Sequence, residues 1–289
     1  MMNTIETHTL TLSDDLSVTC HTAGRPQEEA WLFLHGGGLD SAMLSWREII
    51  TQWPGNEYLV APDLPGYGQS SKPDIDYTLD FYTELLYTLW KTLGLQRINL
   101  CGLSLGGSVA LQFALRYPHL LKRLVLVAPW GISTELPWPR LGGWYARSRW
   151  NLPAYRLCAS RLLTRRLIAA TLFGDAGKIS TELVDEVRTA ALAEDAGKAF
   201  QSFQLSETYG GKPTGRLLPE LPKIDCPVLL VHGSKDPAVP LADAEAAATI
   251  MPQARLEVFE EHKHWPQKES PERFLQTLAE FTDATAESV

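Results

Sequence analysis

Short apolar runs punctuate this chain, and between them apolar residues recur every three to four positions, the spacing of a half-buried helix. Two early runs, Thr7 to Leu12 and Leu16 to His21, alternate apolar and polar side chains as the strands of an edge hairpin do. Six later runs are almost continuously apolar: Trp31 to Leu34, Tyr58 to Ala61, Ile98 to Cys101, Leu124 to Val127, Val228 to Val231 and Leu256 to Phe259. Strands of that kind are buried on both faces. Helical periodicity is predicted over Ser45 to Trp53, Leu79 to Leu93, Leu105 to Tyr117, Leu241 to Met251 and Pro271 to Ala284. Pro118 and Pro252 stand where a helix must already have ended. The alternation predicts an α/β fold, a mostly parallel sheet with helices on both faces.

The alternation fails once. Between Pro129 and about Pro222 there is no strand pattern, only helical periodicity broken by Pro137, Pro139, Pro153 and glycine pairs. Connections in α/β units are a few residues long, so this segment must be a substructure of its own. A helical cap over 131–219, inserted into a core made of 1–130 and 220–289, is the economical expectation. Its composition also shifts. Arg140, Arg147, Arg149, Arg156, Arg161, Arg165 and Arg166 have no acidic residue among them and interleave with Trp138, Trp144, Tyr145, Trp150 and Tyr155. Such a stretch either favours anionic, partly aromatic substrates or simply packs its arginine stems and rings onto the core.

With 289 residues the chain can bury a substantial core. Its formal charge of −8 argues against nucleic acid, whose phosphates demand a basic face. No apolar run approaches the roughly 20 residues that span a bilayer, and the start, Met1-Met2-Asn3-Thr4-Ile5-Glu6, lacks the basic and apolar regions of a signal peptide. Cys20, Cys101, Cys158 and Cys226 are far apart, without metal-ligand spacing. The expectation is a cytoplasmic protein with no metal and no cofactor, no stable membrane association and a small-molecule partner. A homo-oligomer is compatible with all of this.

The candidate chemistry begins at Gly102-Leu103-Ser104-Leu105-Gly106, which ends an apolar strand and opens a helical stretch. A serine on a sharp strand-to-helix turn projects its hydroxyl from the sheet, and small residues two before and two after let strand and helix touch. A serine hydroxyl is a poor nucleophile at neutral pH and needs a base oriented by a third group. Asp236 follows the strand Val228 to Val231, and the last strand leads into a loop bearing both His262 and His264. An oxyanion would need two fixed N–H donors. Leu105, at a helix N-terminus, is one candidate; Gly37, in His35-Gly36-Gly37-Gly38 after the first buried strand, is the other.

Taken together these motifs resemble the α/β-hydrolase superfamily, over nearly the whole chain. His35-Gly36-Gly37-Gly38 looks like its oxyanion loop, and Asp63-Leu64-Pro65-Gly66-Tyr67-Gly68-Gln69-Ser70 is similar to its D-x-P-G-x-G-x-S turn. Gly233-Ser234-Lys235-Asp236 with Val239-Pro240 matches the acid turn; the segment His264 to Glu272 is similar to H-x-P-x-x-E-x-P-E, with Lys263 where glycine is usual. The resemblance implies an eight-stranded sheet, a lid, and a catalytic set of Ser104, His264 and Asp236, and it selects His264 over His262. His262, beside Glu260 and Glu261, is then expected on a solvated face. Gly38, Leu103, Trp130 and Trp265 are expected to contact substrate. The first functional reading is a carboxylesterase working through an acyl-enzyme. A carbon–carbon bond hydrolase of ring-fission products is the alternative, since such enzymes share a Gly-rich loop, a His-Trp pair and a segment like Ile179 to Val184. A ligand receptor that keeps the triad is the alternative of another class.

Overall fold

The computed structural model describes residues 2–26, 28–133, 144, 146–209, 212–213 and 217–286. Arg140, Trp138 and Tyr145 lie outside them.

Strands β1 (Glu6–Ser13) and β2 (Leu16–Ala23) form the expected antiparallel hairpin, and β2 pairs antiparallel with β4 (Tyr58–Pro62). From there the sheet is parallel throughout: β4, then β3 (Ala30–Leu34), β5 (Ile98–Leu103), β6 (Leu121–Val127), β9 (Val228–Gly233) and β10 (Ala254–Phe259). Side chains alternate between faces along each strand, so the continuous apolar runs feed two separate cores. Leu32, Leu34, Leu100, Leu124 and Leu230 meet α2 (Leu79–Thr92), α3 (Leu105–Arg116) and α8 (Leu241–Ile250) on one side. Trp31, Phe33, Leu103, Val125 and Leu229 meet α1 (Ala42–Thr51) and α9 (Pro271–Ala284) on the other.

Helix α1 starts three residues before the predicted Ser45, because the Ser41 hydroxyl accepts the Leu44 N–H at 3.3 Å and caps the first turn. Between β6 and β9 the chain is mostly helical, as the missing strand pattern implies. It contains α4 (Asn151–Tyr155), α5 (Arg161–Thr171), α6 (Thr181–Leu192) and α7 (Lys198–Glu207). The periodicity did not reveal one detail: Thr208–Tyr209 (β7) and Lys212–Pro213 (β8) form a two-residue antiparallel ladder inside the insertion. Arg161 pairs with Asp185 of α6 at 2.7 Å, and Arg47 of α1 reaches Glu186 at 2.5 Å, tying insertion to core. Among the described residues no helix is long and apolar enough to cross a membrane.

The seat of α7 on the core contains one poorly accommodated group. Glu207, at the end of α7, is only 6% exposed, and its Oε2 has no hydrogen-bond partner among the described residues. Burial, with the nearby charge of Asp80, pushes its carboxyl up to about 7. A carboxyl raised by folding penalises the native state as pH climbs from its ordinary value through about 7. Glu207→Gln is therefore expected to raise the thermal midpoint at pH 8, with the gain fading towards pH 4.5. Differential scanning calorimetry across that range checks it.

Candidate active site

The turn at Ser104 is forced by how closely α3 packs on β5. A Cβ on Gly102 would lie 2.3 Å from the Gly106 carbonyl oxygen, and one on Gly106 would lie 2.5 Å from the carbonyl oxygens of both Leu34 and His35. Backbone cannot give way there, so neither position admits a side chain. Between them Ser104 takes φ 51° and ψ −111°, a left-handed conformation that non-glycine residues rarely hold. Its N–H donates to the Val127 carbonyl at 2.9 Å, and its own carbonyl accepts from Trp130 at 3.0 Å and Ser108 at 3.1 Å. The hydroxyl is thereby presented above the carboxyl ends of the parallel strands, where open α/β sheets place their ligands.

Asp236 follows β9, and its side chain is fully buried. One carboxylate oxygen accepts the backbone N–H groups of Ala238 (2.7 Å) and Val239 (3.1 Å); the other accepts Nδ1–H of His264 at 2.7 Å. Burial works to raise this carboxyl, but the facing imidazole and these hydrogen bonds outweigh it and hold it below its ordinary value. With Nδ1 donating to Asp236, Nε2 of His264 is left as the basic nitrogen. Ser104 and His264 border one cavity of about 820 Å³, roofed by the insertion; no hydrogen bond joins them among the described residues. Gly37 also lines this cavity. Leu105 opens α3, and neither its N–H nor that of Gly37 donates to an acceptor among the described residues.

The sequence-based expectations distribute unevenly over this site. Gly38, Trp130 and Trp265 line the cavity. Leu103 does not: the strand alternation turns its side chain into the core beneath α1, where it is fully buried. His262 is not on a solvated face either. It is half-buried, its Nδ1–H donating to the Glu260 carbonyl and its Nε2 accepting the Ser270 hydroxyl, each at 2.7 Å. His232 donates to the Val239 carbonyl at 2.9 Å, beneath the acid turn. Lys263 sends its ammonium to the Ala169 carbonyl at 2.5 Å.

Among the lining residues that no motif announces are Arg166 and Leu167 from α5, and Phe200 from α7. Which face of a cap helix looks inward depends on tertiary docking, which periodicity alone does not give.

Residues 30–271 match the family described as alpha/beta hydrolase fold. The chain belongs to that family. It is 29% identical to an uncharacterized protein of Mycobacterium tuberculosis, over 89% of this chain and 76% of that one. It is 27% identical to 2-hydroxy-6-oxo-2,4-heptadienoate hydrolase of Pseudomonas putida, over 88% of each chain. In three dimensions it superposes on 2-hydroxy-6-oxo-6-phenylhexa-2,4-dienoate hydrolase of Rhodococcus with a TM-score of 0.79, covering 97% of this chain and 99% of that one at 24% identity.

These matches overturn the carboxylesterase reading. The relatives at 26 to 28% identity are hydrolases of hydroxy-oxo-dienoates and of 2-hydroxymuconate semialdehyde, not of simple esters. The motifs could not separate the two because both chemistries are built on the same elbow, acid turn and histidine loop. What they share is an activated serine, and that can be measured without any substrate. Asp236→Asn, which puts an amide against His264, is expected to slow fluorophosphonate labelling of Ser104 by about 10³-fold while the fold is retained. Mass spectrometry of the labelled protein and circular dichroism check both halves.

Proposed function

We propose that the protein hydrolyses the carbon–carbon bond beside an oxo group in hydroxy-oxo-dienoate acids, with Ser104, His264 and Asp236 as its catalytic set. The observation that carries this reading is the similarity to dienoate hydrolases along almost the whole chain. Ser104 Oγ adds to the oxo carbon while His264 takes its proton, oriented by Asp236 through Nδ1. The N–H groups of Gly37 and Leu105 hold the oxyanion. Cleavage proceeds from the keto tautomer of the substrate, in which the 2-hydroxyl proton has moved to the carbon beside the oxo group. The carbon–carbon bond then breaks, its electron pair running through the enone onto the 2-oxo oxygen, and the resulting dienolate takes the proton from His264. Water, activated by the same imidazole, releases the acyl group from Ser104 as a carboxylic acid. In sum one water is consumed, its hydroxyl ending on the acyl fragment and its hydrogen on the carbon fragment.

The cavity wall suits such a substrate. It is largely apolar, and Arg166 is the one permanent cation among its described lining residues. Its guanidinium makes no hydrogen bond or ion pair with another described residue, whereas Arg161 and Arg188 are engaged by Asp185, and Arg165 by the carbonyls of Ala176 and Ile179. Arg166 is the group to which a dienoate carboxylate would turn.

Turnover of 2-hydroxy-6-oxo-2,4-heptadienoate, followed by loss of the conjugated chromophore, tests both statements. Ser104→Ala is expected to lower kcat by about 10⁴-fold or more. Arg166→Leu is expected to raise KM about tenfold with kcat nearly unchanged, the signature of a lost charged hydrogen bond in binding. A wild-type protein inert towards this and the 6-phenyl dienoate would overturn the reading.

A further inference from the structure

The loop that carries Gly37 is clamped at the residue before it. The N–H of Gly36 donates to Asp40 Oδ2 at 2.7 Å, and the Gly36 carbonyl accepts from His35 Nδ1 at 2.7 Å. The tautomer of His35 is fixed from its other side, because Nε2 accepts the Leu64 N–H at 3.0 Å and so cannot carry the proton. In a trans peptide the carbonyl and the following N–H point in opposite directions. With the Gly36 carbonyl held against the buried imidazole, the Gly37 N–H must point away from it, towards the cavity that Gly37 lines. Gly36 also lies hard against the nucleophile: a Cβ built on it would come within 2.9 Å of Asp40 Oδ2 and 3.5 Å of the Ser104 Cβ.

Asp40 is an expensive way to hold a turn. It is 4% exposed, and no cation pairs with it among the described residues. Burial drives its carboxyl up, against the hydrogen bonds and His35, which lower it. Besides Gly36, it accepts the Ser45 hydroxyl at 2.6 Å on the same oxygen and the Ser41 N–H at 2.8 Å on the other. Three donors converge on it, so only a group that accepts at both ends satisfies them all; an asparagine would turn its NH₂ onto a donor.

We propose that Asp40 is a positioning residue of the oxyanion site: with His35 it locks the Gly36–Gly37 peptide so that the Gly37 N–H is aimed at Ser104 before substrate arrives. Its charge works the other way. A carboxylate behind the loop repels the oxyanion that forms in front of it, so any benefit must come from geometry, and the two effects predict opposite signs when the charge is removed. The inference rests on Ser104 as nucleophile and Gly37 as donor, and it holds whichever bond is cleaved.

Phenylboronic acid, which adds to a serine and places a boron-bound oxygen in the oxyanion site, is the probe of that geometry. Benzoate, which adds to nothing, probes the cavity alone. In Asp40→Asn the dissociation constant of phenylboronic acid is expected to rise tenfold or more and that of benzoate to change less than twofold, with kcat falling and KM nearly constant. Ser45→Ala, a milder change that withdraws one of the three donors, is expected to move the same ratio two- to threefold, and it serves should Asp40→Asn not fold. Equal weakening of both ligands, unchanged boronate binding, or a faster enzyme would overturn the proposal, as would a wild-type protein that binds no boronate. Wild type that binds boronate yet cleaves no dienoate overturns the carbon–carbon reading instead, and the boronate-to-benzoate ratio still decides Asp40.

Discussion

Everything at the carboxyl edge of the sheet depends on how closely one helix can approach one strand. Where α3 leaves β5 there is no room for a Cβ at either Gly102 or Gly106. That contact gives Ser104 its left-handed backbone and leaves the N–H of Leu105, at a helix start, without an acceptor among the described residues. A strained residue costs about 1–3 kcal/mol and persists only where its surroundings over-determine it. Here three backbone hydrogen bonds to Val127, Trp130 and Ser108 do so. Trp130 thus belongs to the elbow through its backbone and to the cavity through its side chain.

The partners of Ser104 reach it by a different principle. Asp236 and His264 sit on loops after adjacent parallel strands, β9 and β10, whose register places Phe259 beside Gly233. The neighbouring strand ends bring the loops together, and the buried carboxylate then chooses the imidazole's orientation. Gly233 is part of this: a Cβ there would lie 2.1 Å from the Lys263 carbonyl oxygen, so the histidine loop folds directly over the acid turn. Parallel connectivity thus serves as the assembly device for residues 28 positions apart in sequence.

What was legible in the sequence follows from which forces are local. Continuous apolar strands announce a sheet buried on both faces, and Gly102, Ser104 and Gly106 announce a turn that only one geometry satisfies. Asp236 and His264 could be placed at strand ends because each follows an apolar run. The failures are equally physical. Leu103 belongs to a motif, yet its strand parity sends it into the core. His262 is flanked by acids, yet Ser270 and the Glu260 carbonyl recruit it. Arg166 could not be distinguished from Arg161 or Arg165, because its availability depends on acids and carbonyls supplied by α6 and the turn before it. Asp40 went unnoticed for the same reason, its three donors being visible only once the loop is folded.

One attachment joins roof and floor with particular economy. The Glu269 carboxylate, five residues past His264, takes the backbone N–H groups of Gly174 and Asp175, and the Trp265 N–H donates to the Leu172 carbonyl. The carboxyl end of α5 is therefore riveted to the very segment that holds the imidazole. Lifting the roof there would drag His264 off Asp236 and disarm the serine. Traffic of reactant and products must pass by some other side of the enclosure, leaving this corner as its fixed post.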